Sequence, residues 1–356
     1  MLLTDKIYQV VPWLIESLPK GRATATNIVC SLRKQASKWD PWLLKDDDVY
    51  RLFYLVGSKK TNPFWKEGAI YGAISTDLKQ WQDLGPILQP DPASAWESGR
   101  MLAGSTYKED GIYYLFYSAA GKDGLAICHE EIGLATSTDG LQWQRYSPEK
   151  LFLNLDERNL WYGSHKEVNF FWRDPYIVKD HKTGKYYMYI CAYLPAVEPG
   201  GFGGCIGLAV ADTLAGPYQI LPPAAAPSVD ETKAWPYEHM ERPQVIYKNG
   251  KYHLFFSCWL NMMNSQWISQ VGRHLLRDSS LYWYVADEIT GPFEPVSDTP
   301  VVRGSKTTRM YGTNFFVVNE TTEELIPYGW DYTLRELQIS PSKFQVDFVR
   351  NSVEIR

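Results

Sequence analysis

Short apolar runs rich in aromatic residues alternate along the chain with turns bearing Gly, Asp or Asn, and the alternation is ordered. One phrase recurs. It opens near an acidic or Gly residue on a short apolar strand and passes through a Gly or Asp turn into an aromatic strand. A third strand, an Asp turn and a fourth strand close it. The first copy reads WDPWLL (39–44), VYRLFYLVG (49–57) and GAIYGAISTDLKQW (68–81). The second reads AGSTYKEDGIYYLFYSAAG (103–121) and EIGLATSTDGLQW (131–143). The third reads WRDPYIVKDHKTGKYYMYICAY (172–193) and CIGLAVADTLAGPY (205–218). The fourth reads ERPQVIYKNGKYHLFFSCW (241–259) and LYWYVADEITGPF (281–293), and a weaker fifth reads YGTNFFVV (311–318) and ELIPYGWDY (324–332).

Each copy spells about four short strands, with Glu-Asp-Gly, Lys-Thr-Gly and Lys-Asn-Gly as turn signals. A repeated four-stranded unit predicts an all-β fold, a five-bladed β-propeller of four-stranded antiparallel blades around a central cavity. A β-sandwich with chance similarity is the alternative. The ordered return of IGLA-S-D-W and IGLA-AD-GPY speaks against it. One catalytic domain is expected over 1–356, with blades near 39–90, 97–155, 172–222, 239–302 and 310–350. Residues 1–38 form a lead-in, part of which is available to close the ring.

A propeller brings the starts of its innermost strands to one cavity, so equivalent residues far apart in sequence meet there. Blade 1 opens Trp39-Asp40-Pro41, blade 3 Arg173-Asp174-Pro175 and blade 4 Glu241-Arg242-Pro243. This places Asp40, Asp174 and Glu241 at one level. Glycoside cleavage needs such a set: a carboxylate to attack the anomeric carbon or activate water, and a carboxylic acid to protonate the leaving oxygen. A third carboxylate holds ring hydroxyls. Crowding raises carboxyl pKa values and keeps an acid protonated near neutral pH. Each Asp-Pro alone is ordinary strand or turn punctuation; three in register carry more.

Composition narrows the remaining classes. Aromatic residues make up 15% of the chain, with 14 Trp and 24 Tyr, which suits strands and supplies surfaces for stacking sugars. The net charge of -5, without a basic block, argues against a nucleic-acid partner. No apolar run reaches membrane-spanning length. Met1 to Val11 lacks a signal-type apolar core, so the chain reads as cytoplasmic, with secretion after removal of a leader as the alternative. The five cysteines, Cys30, Cys128, Cys191, Cys205 and Cys258, lack metal or disulfide-framework spacing, and Cys128-His129 is adjacent rather than metal-spaced. Neither metal nor cofactor is expected. PGGFGGCIG (199–207) reads as a loop at the cavity rim. The insertion 261–280 reads as a short helix over the cavity mouth, where Arg273, His274 and Arg277 are candidates for an acidic sugar, or simply an exposed basic loop.

WDPW, WRDP and ERPQVIYKNGKYHLFF resemble the signature segments of the five-bladed glycosidase superfamily, which includes the levansucrase/invertase families 68 and 32 and the arabinan/xylan family 43. The resemblance runs from about Trp39 to Tyr332 and is nearest to family 68. It implies Asp40 as nucleophile, Asp174 as transition-state stabiliser and Glu241 as acid/base in a retaining fructosidase or fructosyltransferase acting on sucrose or related fructosides. Arg173 and Arg242 become positioning groups, or structural clamps on carboxylates. Trp39, Trp42 and Trp172 become a sugar platform, or blade packing. Glu238 and His239, and Tyr311 and Asn314 opening blade 5, become further substrate contacts. The family's Trp-Ser-Gly-Ser segment of blade 2 is here RMLAGST (100–106), which offers Ser105, with Trp96 and Glu97 upstream as substitutes for the absent Trp. The family-43 alternative is an inverting arabinofuranosidase or xylosidase with Asp40 as general base. A glycan-binding propeller without turnover, or one recruited to unrelated chemistry, are the readings from other classes. A sugar or oligosaccharide is the expected partner in all but the last.

Overall fold

The computed structural model describes residues 36–122, 130–147, 160–163, 172–195, 202–226, 235–305, 308–319, 324–339 and 344–355. Five antiparallel sheets follow one another in chain order. The first holds β1 (Ala36–Asp46), β2 (Val49–Ser58), β3 (Ala69–Ser75) and β4 (Gln82–Leu88). The second holds β5 (Arg100–Glu109), β6 (Ile112–Ala120), β7 (Glu130–Ser137) and β8 (Gln144–Arg145). The third holds β9 (Trp172–Lys179), β10 (Tyr186–Tyr193), β11 (Gly204–Ala211) and β12 (Gln219–Ala225). The fourth holds β13 (Glu241–Lys248), β14 (Lys251–Ser257), β15 (Tyr282–Ala286) and β16 (Glu294–Pro295).

The fifth sheet departs from the expected four strands. It pairs β17 (Met310–Asn319), β18 (Glu324–Asp331) and β19 (Glu336–Ile339), while β20 (Phe344–Asp347) and β21 (Ser352–Ile355) form a separate hairpin. The innermost strands adjoin in a ring: β1 meets β5, β5 meets β9, β9 meets β13, β13 meets β17 and β17 meets β1. The fold is a five-bladed β-propeller. At the seam Lys38 donates its backbone N–H to the Arg335 carbonyl at 3.0 Å, and its buried ammonium meets Glu336 at 2.5 Å. Of the lead-in, residues 1–35 lie outside the described residues, as do Cys30, Cys128, His129 and residues 199–201.

The repeated turns have a local cause. Asp110-Gly111 and Asn249-Gly250 both take positive φ at two-residue hairpins, the conformation these residues tolerate and the strand twist requires. In Ser-Thr-Asp turns, Asp77 accepts from the Lys79 and Gln80 N–H groups at 2.8 Å, and Asp139 from those of Leu141 and Gln142 at 2.8 Å. Each such turn delivers the outer strand of its blade. Between blades, aromatic and aliphatic side chains of adjacent sheets form the core, with the Phe53 ring 5.8 Å from that of Trp143. Cys191, Cys205 and Cys258 are buried free thiols within it. No helix among the described residues is long and apolar enough to cross a membrane.

Candidate active site

Four of the five innermost strands share one device. In β1 the pairing runs Trp39 with Leu55, then Trp42 with Phe53, so Asp40 and Pro41 together face one residue. The same bulge recurs in β9 between Arg173 and Tyr176, in β13 between Glu241 and Gln244, and in β17 between Tyr311 and Asn314. The first bulged residue is in each case left-handed: Asp40 at φ 44°, Asp174 at 58°, Arg242 at 55° and Gly312 at 58°. Three of the four are not glycine, and each such residue costs roughly 1 kcal/mol or more. Proline follows three times because the bulge leaves that N–H without a ladder partner.

This register corrects the sequence alignment. Asp40 and Asp174 are equivalent, but the residue equivalent to them in blade 4 is Arg242. Glu241 stands one position earlier, level with Trp39, Arg173 and Tyr311. The three carboxylates still line one cavity, of about 520 Å³. Its walls include Trp39, Phe64, Trp65, Trp259, Tyr311 and Trp330, and its polar lining includes Arg100, Glu130, Arg173, Glu238 and His239. The volume lies in the ordinary range for small-molecule sites.

Asp40 Oδ1 is buried and finds no well-formed hydrogen bond, with the Trp330 indole beside it. Near Asp40 lies Arg242, whose guanidinium donates to the carbonyls of Pro41 at 2.7 Å and Gly104 at 3.3 Å and to Asn314 Oδ1 at 3.3 Å. Asn314 answers by donating to the Arg242 carbonyl at 3.1 Å. Asp174 accepts the Arg242 backbone N–H at 2.9 Å, and its own N–H donates to Ser118 Oγ at 2.8 Å. Glu241 is held from two sides: Arg173 donates to Oε1 at 2.6 Å, and the Tyr311 hydroxyl bonds Oε2. Tyr311 is in turn stacked on Trp259 at 3.8 Å.

These surroundings separate the carboxyl groups. Burial raises Asp40 to about 7; the Arg242 cation opposes this, and the Asp174 and Glu241 charges add to it. Burial likewise lifts Asp174 to about 6, against the pull of Arg173 and Arg242. Burial also pushes Glu241 upward, but His239, Arg173 and the Tyr311 hydroxyl together hold it below its ordinary value. Burial keeps His239 at about 4 and therefore neutral at pH 7.

Of the residues singled out from sequence, Trp39, Asp40, Arg173, Asp174, Glu238, His239, Glu241 and Tyr311 line the cavity. The others do not. Trp42 and Trp172 are blade packing: Trp42 donates its indole N–H to Thr106 at 2.9 Å, and Trp172 lies 5.1 Å from the Tyr162 ring with no exposed surface. Arg242, Asn314 and Ser105 are buried and are not among the residues that line the cavity. Trp96 stacks on Tyr117 at 6.0 Å, and Glu97 binds Tyr117 and Arg145, so neither replaces the absent tryptophan. In blade 2 the cavity instead meets Leu102 and Ala103.

The insertion holds a helix over Ser265–Val271 and lends Asn261 and Met262 to the wall; Arg273, His274 and Arg277 lie away from it. Trp259 and Trp330 escaped notice because they follow or end second strands. Antiparallel pairing returns those ends to the rim where the first strands begin, which was the available signal. Arg100 and Glu130 carried none, being far from any repeated carboxylate. Among the described residues no His, Cys, Asp or Glu cluster is arranged to hold a metal ion.

A family model described as the glycosyl hydrolases family 32 N-terminal domain matches residues 40–196. The levansucrase of Erwinia amylovora is 29% identical over 173 residues, 42% of this chain and 38% of that protein. The chain spans about half the length, or less, of the curated relatives it matches. Two solved structures share the fold. Bacillus subtilis levansucrase has a TM-score of 0.69 at 16% identity, covering 99% of this chain and 93% of that one. The inulosucrase from Halalkalicoccus jeotgali bound to kestose has a TM-score of 0.67 at 20% identity, covering 94% and 92%. Residues 40–196 thus match a family 32 glycosyl hydrolase model, and the chain as a whole shares its five-bladed propeller fold with these solved structures.

Proposed function

We propose that this chain is a retaining enzyme of fructosides, a β-fructofuranosidase or fructosyltransferase acting on sucrose or a related sugar. The observation that carries the reading is Asp40, a buried carboxylate whose Oδ1 finds no well-formed hydrogen bond and has the Trp330 indole beside it, in an aromatic-walled cavity shared with Glu241. Such an atom is costly unless it is kept for a reacting partner. In this reading Asp40 attacks the anomeric carbon as Glu241 delivers its proton to the leaving oxygen. The glycosidic bond breaks and a glycosyl ester forms on Asp40. Glu241 then takes a proton from water or an acceptor hydroxyl, whose oxygen displaces the ester. Asp174, steadied by the Arg242 N–H, receives ring hydroxyls, and the aromatic walls receive the apolar faces of the sugar. That a relative in Erwinia amylovora is a levansucrase, and that a neighbour of the same fold was solved with kestose, supports the choice of fructosides.

The test is turnover of sucrose by wild type, Asp40→Asn, Asp174→Asn and Glu241→Gln, with NMR of the first-formed anomer. Each substitution is expected to lower kcat by at least about 10³, as loss of one member of a catalytic set does. Wild-type turnover in all three variants sinks the assignment. An inverted first product would transfer the chain to the inverting pentosidases, with Asp40 activating water. Tight sugar binding without turnover by wild type would make it a glycan-binding propeller.

A further inference from the structure

The acid/base assigned above raises a problem that the structure answers. Glu241 must carry a proton when it meets a glycoside, yet Arg173 binds it at 2.6 Å. If Glu241 were the only anion on Arg173, protonation would strand a buried guanidinium, which is strongly unfavourable. A second anion is present. Glu130, the first residue of β7 and itself buried, takes the other Arg173 amine at 2.7 Å through Oε2. Its Oε1 accepts from Arg100 at 3.1 Å, so both carboxylate oxygens are occupied by guanidinium groups. The four side chains form one chain: Arg100, Glu130, Arg173, Glu241.

We propose that Glu130 is a positioning residue that sets the proton affinity of Glu241 by competing with it for Arg173. The inference rests on the acid/base role given to Glu241 above. When Glu130 draws Arg173, the hold on Glu241 as an anion weakens and the proton stays for the leaving group. Arg100 opposes this by neutralising Glu130. The other charged or titratable groups that face Glu241 are His239 on its own segment, Tyr311 of β17, Asp40 of β1, Asp174 of β9 and the buried thiols of Cys191 in β10 and Cys258 after β14. Removing Glu130 or Arg100 alters none of these covalently.

The competition predicts shifts of opposite sign. Glu130→Gln removes both a rival for Arg173 and a like charge, so the Glu241 pKa falls. Arg100→Met frees Glu130 to hold Arg173, so the Glu241 pKa rises. Each shift is expected to be about one unit, a tenfold change in proton affinity. The direct measurement is a ¹³C NMR titration of protein labelled at Glu side-chain carboxyls, with Glu241→Gln to assign the resonance. It reads Glu241 whether or not any substrate turns over, so a wild type inactive on all fructosides defeats the glycosidase reading and leaves this test intact. In kinetics, Glu130→Gln should lose about tenfold in kcat on sucrose near pH 7. It should lose little on a nitrophenyl fructoside, whose leaving group needs no proton. Thermal melting confirms that each variant folds, and should one fail, the titration of the other decides by its sign. Unmoved Glu241 titration, shifts of the same sign in both variants, or equal loss on both substrates overturns the proposal.

Discussion

Asp40→Asn should make the protein more resistant to alkaline destabilisation while abolishing turnover. Asn tolerates the left-handed backbone at this position and fills the same volume, so the bulge is kept. What changes is charge. In the folded chain Asp40 is raised from 3.8 to about 7. A carboxyl raised on folding contributes stability fully below its unfolded pKa and loses it as pH rises through its folded pKa. The shift corresponds to about 4 kcal/mol in all, and about 3 kcal/mol of it is lost between pH 5 and pH 8. Asp40 is partly open to the cavity, whose water screens the charge, so these figures are upper values. For a chain of 356 residues the unfolding entropy is roughly 0.7 kcal/mol per kelvin, which makes the loss about 4 °C in Tm. The assay is thermal melting of wild type and Asp40→Asn at pH 5 and pH 8. The gap in Tm should widen in favour of the variant at the higher pH. Parallel behaviour, or a variant that loses more than wild type, would refute the idea that the carboxyl is buried against its charge. The gain in stability at the expense of activity is the trade expected of a reacting group.

Other outcomes follow from the same geometry. Wild-type kcat/KM should be bell-shaped in pH, because the Asp40–Glu241 pair must hold one proton: activity falls above about 7 as that proton leaves, and in acid as a second proton silences the nucleophile. Asp174→Asn should move the alkaline limb downward in whatever activity survives, since the Asp174 charge raises Asp40. Trp172→Ala should cost about 3–5 kcal/mol by leaving a hole beside Tyr162, and Trp65→Ala should instead raise KM with little change in Tm; melts and steady-state kinetics separate the two. Arg242→Lys should cost about 2–3 kcal/mol in urea unfolding, because a single ammonium cannot reach Pro41, Gly104 and Asn314 together.

Local chemistry made much of this molecule legible in one dimension. Asp-Gly, Asn-Gly and Ser-Thr-Asp turns act within a few residues, so their recurrence revealed four blades and hinted at the fifth. Asp-Pro marked the bulges, since only a position outside the ladder accepts proline. Contacts set by closure of the ring were not legible. The one-residue offset of Glu241 depends on which residues pair across β13 and β14. The clamp on Glu241 joins residues of blades 2, 3, 4 and 5, and Glu130 has no local signal because its partners lie 30 and 43 positions away in the chain. Tryptophans beside the carboxylates in sequence split between core and cavity, as alternate directions along a bulged strand dictate: Trp39 turns to the cavity and Trp42 to the core. The sequence thus determined which residues open each blade, because turn and bulge preferences are local. The tertiary structure alone decided which charge rests against which, and therefore where the proton resides, because electrostatics in a buried cavity depends on distance through space.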